Sequence, residues 1–363
     1  MQFRSYAPHL AAIFATMFAG AAPVSAHAHD ALPLGDGNVS SKPKSGNVYS
    51  CQQRFNPNAP GAQASGKWIR GNEWAPTAKP IVDGAVAWPN SAITVSLEGD
   101  QRLVRANNLP DHKTGVFPVA RADDAYRYDR NPNSIREQDI LLRLPAVPQL
   151  ASNPSCVPMG MIGFALTGAA IYNALDARGD DAPAHEIQDS CNGHPEHNGQ
   201  YHYHNLSPCM TDSRSQPGGH SDLIGYALDG FGIFGLHGEN GEIVENKDLD
   251  ACHGHTHEVI WDGKKRTIYH YHFTEEYPYT IGCFSGTIEN RQANRQMPRA
   301  RQGNRAPGGG GHAVLQKAAQ ILGVSEHRLM DAVGAPPPNF HRAAQMLDKS
   351  EREIRQAFGT ARQ

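Results

Sequence analysis

The chain has no apolar run long enough to cross a bilayer. The longest, Ala11 to Val24, covers about 14 residues, against the ~20 that a spanning helix needs. With Arg4 ahead of it and small residues behind, it reads as the apolar centre of a secretory signal. Val24-Ser25-Ala26 and Ala26-His27-Ala28 both fit the cleavage pattern, so residues 1–26 are assigned to a signal peptide and the mature chain begins near His27 or His29. The protein is expected to be exported, periplasmic or secreted, with no membrane span. An excess of charge of one sign is lacking too. Lys and Arg number 33 against 36 Asp and Glu, so no bulk field points to nucleic acid or anionic lipid, and no nucleic-acid partner is expected. Cysteines are few but even in number. The six, in an exported chain, suggest three disulfides.

Familiar catalytic signatures are absent as well. There is no G-x-S-x-G elbow, and His185-Glu186-Ile187-Gln188-Asp189 lacks the second His of H-E-x-x-H. Gly230-Phe231-Gly232-Ile233-Phe234-Gly235 matches G-x-G-x-x-G, but its flanks read as hairpin strands, whereas a dinucleotide site needs strand, glycine turn and helix. Asp123, Asp124 and Asp129 lie close together without the spacing of a calcium loop and read as a solvated loop.

What the chain does have is histidine. Of 19 in all, 12 fall between His185 and His272. Residues 27–65, rich in Gly, Ser, Pro and Asn, read as an extended arm, and short apolar stretches from Lys67 to Leu144 read as strands and turns. An internal duplication follows. Ile162-Gly163-Phe164-Ala165-Leu166-Thr167-Gly168 matches Ile224-Gly225-Tyr226-Ala227-Leu228-Asp229-Gly230 at an offset of 62 residues, and Cys191 and Cys252 follow at an offset of 61. Each copy reads as a hairpin about a Thr-Gly or Asp-Gly break suited to a type I′ turn. Each is followed by a His-rich element: Cys191 to Tyr201-His202-Tyr203-His204 with Cys209, then Cys252 to Tyr269-His270-Tyr271-His272 with Cys283. The repeat suggests Cys191–Cys209 and Cys252–Cys283, leaving Cys51–Cys156, although sequence alone cannot choose among the pairings.

After Gly286 the character changes. Residues 286–312 hold five arginines and end in Gly308 to Gly311, a basic flexible linker. Residues 313–363 carry a second repeat with a period of 25, Ala318-Ala319-Gln320-Ile321-Leu322 against Ala343-Ala344-Gln345-Met346-Leu347, each followed by a Ser suited to capping a helix. Two helical hairpins joined at Pro336-Pro337-Pro338 are expected there, as a packing module or a docking unit for a protein partner.

Alternate residues of a strand share a face. His202 and His204 therefore point one way and Tyr201 and Tyr203 the other, with His270 and His272 set against Tyr269 and Tyr271 in the second copy. Two imidazoles so placed can reach one metal ion, and neutral imidazole suits copper or zinc. In the second copy an Asp262-Gly263 turn sets His255 opposite His270 and His253 opposite His272, with His257 on the same face. In the first, an Asn198-Gly199 turn groups His197 with His202 and His204 and turns His194 away, unless Pro195 shifts the register by one. The expected metal ligands are His202, His204, His270 and His272, with His194, His197, His255 and His257 secondary. Glu196 or Glu186, and Glu239 or Asp250, are the oxygen donors that could complete a site. A mature N-terminus His27-Ala28-His29 offers a separate copper site, which cleavage after Ala28 would remove. The bland alternative is aromatic packing with histidines at a wet surface.

Asp189-Ser190-Cys191-Asn192-Gly193-His194 with Tyr201 to His204, after Gly163-Phe164-Ala165-Leu166-Thr167-Gly168, resembles the YHYH domain, a family of largely uncharacterised exported bacterial proteins. The resemblance spans roughly residues 65–285. It implies a single β-rich exported domain and supplies no catalytic residues. The fold expected is mainly β: one β-rich domain over 66–285 with an internally duplicated hairpin plus His-rich element, then a small α-helical C-terminal module. The leading reading of function is an exported protein that binds copper or zinc for storage, delivery or sensing. The competing readings are a metal-dependent envelope enzyme, hydrolase or copper oxidase, with Glu186, Asp189 or Asp229 as base, and a disulfide-stabilised envelope adhesion or scaffold protein.

Overall fold

Pairing of the two copies organises the molecule. A computed structural model describes residues 31–59, 64–210, 218–288, 317–324, 326–333 and 340–361. The expected signal peptide, His27-Ala28-His29, the arginines of the linker, Ser325 and Pro336-Pro337-Pro338 lie outside the described residues. The chain is mainly β. Its centre is an open eight-stranded sheet made of two four-stranded halves. In the first half, Met161–Ala165 pairs with Ala170–Tyr172, which runs parallel to Tyr201–Tyr203, which is edged by Gly193–Pro195. In the second, Leu223–Ala227, Gly232–Phe234, Lys264–His272 and Gly254–Trp261 repeat that order and those directions. The halves meet where Met161–Ala165 and Leu223–Ala227 run antiparallel, with Phe164 opposite Tyr226, its own counterpart in the repeat. Each copy thus presents the same strand to the other, as in a two-fold interface between subunits. The irregularity between Met161 and Gly163 recurs between Leu223 and Gly225.

The turns decide which side chains share a face. Asp262-Gly263 is the expected type I′ turn, with φ of 50° and 72° and Trp261 facing Lys264. The other Xaa-Gly breaks differ from expectation. At Thr167-Gly168 and Asp229-Gly230 only the glycine has positive φ. Gly168 and Gly230 donate to Ala165 O and Ala227 O, while Ala165 and Ala227 donate to Ala169 O and Phe231 O. These are three-residue loops closed by a left-handed glycine. A β-branched Thr167 resists the left-handed region, and the Asp229 carboxylate is committed elsewhere, to the Tyr271 hydroxyl. The Asn198-Gly199 break also makes a three-residue loop, with Gly199 donating to Glu196 O and Glu196 to Gln200 O. One residue more in the loop shifts the register by one, so His194 faces His202. His194 joins the histidine face and His197 moves into the loop, reversing the arrangement an Asn-Gly two-residue turn implies.

The three disulfides are Cys51–Cys156, Cys191–Cys209 and Cys252–Cys283. The described part of the N-terminal arm is fastened to the body. Gly35 N–H donates to Asp181 Oδ2, and His185 Nε2 lies 3.0 Å from Asp36 Oδ2. A three-stranded sheet, Ile93–Glu98, Gln101–Ala106 and Ile140–Pro145, is tied on through Arg102. That buried guanidinium makes two 2.9 Å bonds to the Asp262 carboxylate and lies over the rings of Tyr226 and Trp261. Toward the C-terminus, helices at 317–322, Glu326–Val333, Phe340–Leu347 and Glu351–Ala361 bury a core of their own that includes Leu329, Leu347, Ile354 and Phe358. Ser350 and Glu353 form a reciprocal capping box at the last helix.

Two candidate metal centres

Each half of the sheet carries one histidine cluster, and the two are built by the same supports. In the first, Asp189 Oδ1 accepts the N–H of Cys191 and of Gly193 and the hydroxyl of Tyr201. In the second, Asp250 Oδ1 accepts from Cys252, Gly254 and Tyr269. These carboxylates lock the disulfide-bearing turn onto the first tyrosine of each Tyr-His-Tyr-His run. The second tyrosines are held in the same way, Tyr203 by Thr167 and Tyr271 by Asp229. With the tyrosines fixed on one face, the histidines face the other. Asp189, Asp229 and Asp250 are all committed to this scaffold. None is placed as a metal ligand or an accessible base.

The histidines converge through one nitrogen each. In the second cluster His270 Nε2 lies 3.0 Å and His272 Nε2 3.1 Å from His220 Nε2. His255 completes the group, with ligand atoms all within 4.8 Å of one another. The Nδ1 of each of His220, His270 and His272 faces a backbone carbonyl, of Ser221, Ile268 and Gly235. A carbonyl only accepts, so Nδ1 carries the hydrogen and, in a neutral ring, Nε2 carries only a lone pair. Three bare lone pairs therefore point at one another.

Protonation does not relieve this. Burial, with the neighbouring imidazoles, holds His270 and His272 well below the ordinary histidine pKa and lowers His220. Burial, then His257 and His220, pushes His255 down to about 4, and its Nε2 has no hydrogen-bond partner.

The first cluster brings His194, His202 and His204 together, again within 4.8 Å. His202 Nε2 and His204 Nε2 are 3.2 Å apart, and their Nδ1 atoms face Gln200 O and Asn173 O. Asn173 and Gly235, which orient His204 and His272, sit at the duplication offset of 62. The fourth group here is Glu186. Its Oε2 is 3.1 Å from both His194 Nε2 and His204 Nε2, yet neither it nor His194 completes a hydrogen bond. Burial favours the neutral acid, but the His194 and His204 rings overcome it and keep the Glu186 carboxyl well below its ordinary pKa. Burial opposes charge on His194 too, yet Glu186 and Asp129 hold its pKa above the ordinary value. His202, surrounded by low-dielectric protein and two imidazoles, is held well below.

Glu186 is placed by the short helix Ala182–His185. Trp68 Nε1 bonds Ala184 O, and the half-buried Lys79 ammonium bonds the carbonyls of Pro183 and Glu186. Burial pushes the Lys79 pKa down to about 7. A cavity of about 580 Å³ adjoins this cluster, lined in part by Asp129, Tyr172, Asp176, Glu196 and His197.

Imidazole nitrogens bound to one tetrahedral ion at the usual 2.0–2.1 Å would be about 3.3 Å apart. The closest nitrogen pairs of both clusters, at 3.0–3.2 Å, come near that spacing and the remaining ligand atoms lie within 4.8 Å, so each cluster could hold a metal ion. The first offers three imidazoles and a carboxylate, the second four imidazoles. Of the sequence-expected ligands, His194, His202, His204, His255, His270 and His272 are brought together. His197 and His257 stand outside, on Glu196 and Glu239. His253 was expected on the shared face. Its φ of +76° ends the strand, and its ring turns to Thr274. His220 was missed, because it precedes its hairpin and has Pro158 as its counterpart in the repeat. Cys191 and Cys209 lie near His112, but the disulfide occupies both sulfurs.

Residues 141–242 match a family model described as YHYH protein. Over this stretch the chain is similar to that family. The stretch contains the first Tyr-His-Tyr-His, Glu186 and His220, while Tyr269 to His272 lie beyond it. No curated protein and no solved structure matches the chain.

Proposed function

We propose that this is an exported protein binding two transition-metal ions per chain, zinc or copper, one in each half of the sheet, for storage, delivery or sensing. The observation that carries the reading is the set of Nε2 atoms facing one another at 3.0–3.2 Å with their hydrogens committed to carbonyls on the far side. Leaving a buried polar group without a partner costs about 1–3 kcal/mol, and a cation shared among the lone pairs removes that cost at several atoms together. The carbonyl partners of Nδ1 fix the tautomer and aim each ring, the usual way a protein supports metal-bound histidine. Disulfides in place of free thiols suit an oxidising compartment and leave metal binding to nitrogen and oxygen.

The test is elemental analysis of the exported, disulfide-intact protein, beside a variant carrying His202, His204, His270 and His272 changed to Ala. About two ions per chain, lost in the variant, supports the reading. A folded protein that takes up no transition metal on titration refutes it.

A metal-dependent enzyme is favoured by one further observation, the cavity beside the first centre. A catalytic ion needs a position open to substrate. Asp176 lines that cavity, is 2 % exposed, and has an Oδ2 with no partner. Azide added to cobalt-loaded protein separates the two. A shifted visible spectrum shows an open position and calls for turnover assays, whereas an unchanged one favours storage or delivery.

A further inference from the structure

The two expected ligands that the centres leave out stand in similar places. His257 lies beside His255, ring centroids 4.2 Å apart, with its Nδ1 3.1 Å from Glu239 Oε2. The pair reaches solvent, with side chains 35 % and 56 % exposed. His197 has its Nδ1 2.6 Å from Glu196 Oε2 and is 82 % exposed. Both His197 and Glu196 line the cavity shared with His194, His202 and His204. At each centre, then, an imidazole that reaches solvent is oriented by a carboxylate through Nδ1, which puts the lone pair on Nε2. The amide of Asn198 donates to that lone pair in His197, at 3.0 Å. Neither histidine belongs to its cluster.

We propose that His257–Glu239 and His197–Glu196 are loading ports, where a hydrated divalent transition-metal ion is first held before it passes to the buried centre. The proposal rests on the two centres binding metal. A hydrated ion cannot shed all its water before meeting a buried ligand set, so entry must exchange water for protein ligands a few at a time. The carboxylate, at the surface for Glu239 and partly exposed for Glu196, draws in the cation and the adjacent imidazole gives it one nitrogen. For His257 the next nitrogens are those of His255, already in ring contact. The ports share a design although they lie on different elements: Glu239 precedes its histidine by eighteen residues and Glu196 by one.

The experiment follows cobalt(II) uptake by the metal-free, full-length protein in a stopped-flow spectrometer at two salt concentrations. It compares unchanged protein, the pair His257→Ala with Glu239→Gln, and His197→Ala. Glu196 is left in place because it also accepts the N–H groups of Asn198 and Gln200 that shape its loop. Loss of a steering carboxylate reduces association by about tenfold or more. One phase of loading should slow by that factor in the paired variant and lose much of its salt dependence, and the other phase should slow in His197→Ala. Final cobalt content should stay that of the unchanged protein. Loading at unchanged rates overturns the ports while leaving the centres intact. A final content lower by one ion makes His257 or His197 a ligand and also overturns them. If the unchanged protein takes up no cobalt, the centres fall and the ports with them.

Discussion

His272 is buried with 0 % exposure, and its surroundings hold its pKa well below the ordinary value of 6.5. The consequence can be isolated with His272→Asn in metal-free protein. The asparagine amide can still donate to Gly235 O, as Nδ1 does now, but it cannot take up a proton. In the unfolded chain His272 titrates near 6.5, and in the fold it stays neutral. Below pH 6.5 the unfolded state therefore binds the extra proton, and stability falls as the pH drops toward the folded pKa. A ring neutral throughout loses about 2 kcal/mol of stability between pH 7 and pH 5. All other titrating groups are common to both proteins, so the difference between them isolates this ring. At pH 7 the variant is the less stable, because it loses packing against His220 and His255. At pH 5 that gap should shrink by about 2 kcal/mol. Urea unfolding followed by tryptophan fluorescence at the two pH values measures it. A gap that does not change with pH would mean the ring protonates in the fold, and the argument from facing lone pairs would fail.

Two further outcomes separate the centres. Glu186→Gln, which removes a direct donor, should weaken the first centre by at least the roughly 10–100-fold that loss of an outer partner costs, and leave the second unchanged; competition with a chromophoric chelator reads both. Proton release should differ as well. Near pH 7 the second centre presents imidazoles already neutral and should release almost none, whereas the first should expel up to one proton from His194, which Glu186 holds above its ordinary pKa. Calorimetric titrations in two buffers of different ionisation heat measure this, and several protons released at the second centre would contradict its description.

Much of this was legible in the sequence because duplication marks equivalent positions. The strand period separates histidine from tyrosine, the repeat pairs the cysteines as the structure does, and Asp262-Gly263 sets His255 against His270. What was not legible depended on loop geometry. One residue more in the loop His197–Gly199 moves His194 in and His197 out, and an Xaa-Gly pair does not say which loop it makes. The left-handed backbone at His253 likewise removes a ring that alternation would have counted. His220 lay beyond reach because nothing in the repeat marks it. Its place is set by the strand Leu223–Ala227 that it leads into.

The duplicated frame and the non-repeated ligands do different jobs. Asp189 and Asp250, Asn173 and Gly235, and the paired tyrosines fix three imidazoles per half in almost the same way. The fourth group comes from outside the repeat, Glu186 from the short helix in one half and His220 from the approach to a strand in the other. The aromatic neighbour differs as well: Tyr172 stacks on His202 at 3.8 Å, where Phe234 meets His270 edge-on at 4.8 Å. Carboxylate oxygen suits harder ions than imidazole nitrogen does, so exchanging the fourth group would change the metal preference of one half without disturbing the frame. On that ground the two centres should rank divalent ions differently. The first, with its anionic oxygen and adjoining cavity, is the one suited to exchanging ligands. The second, with four neutral nitrogens, would be the one suited to retaining an ion.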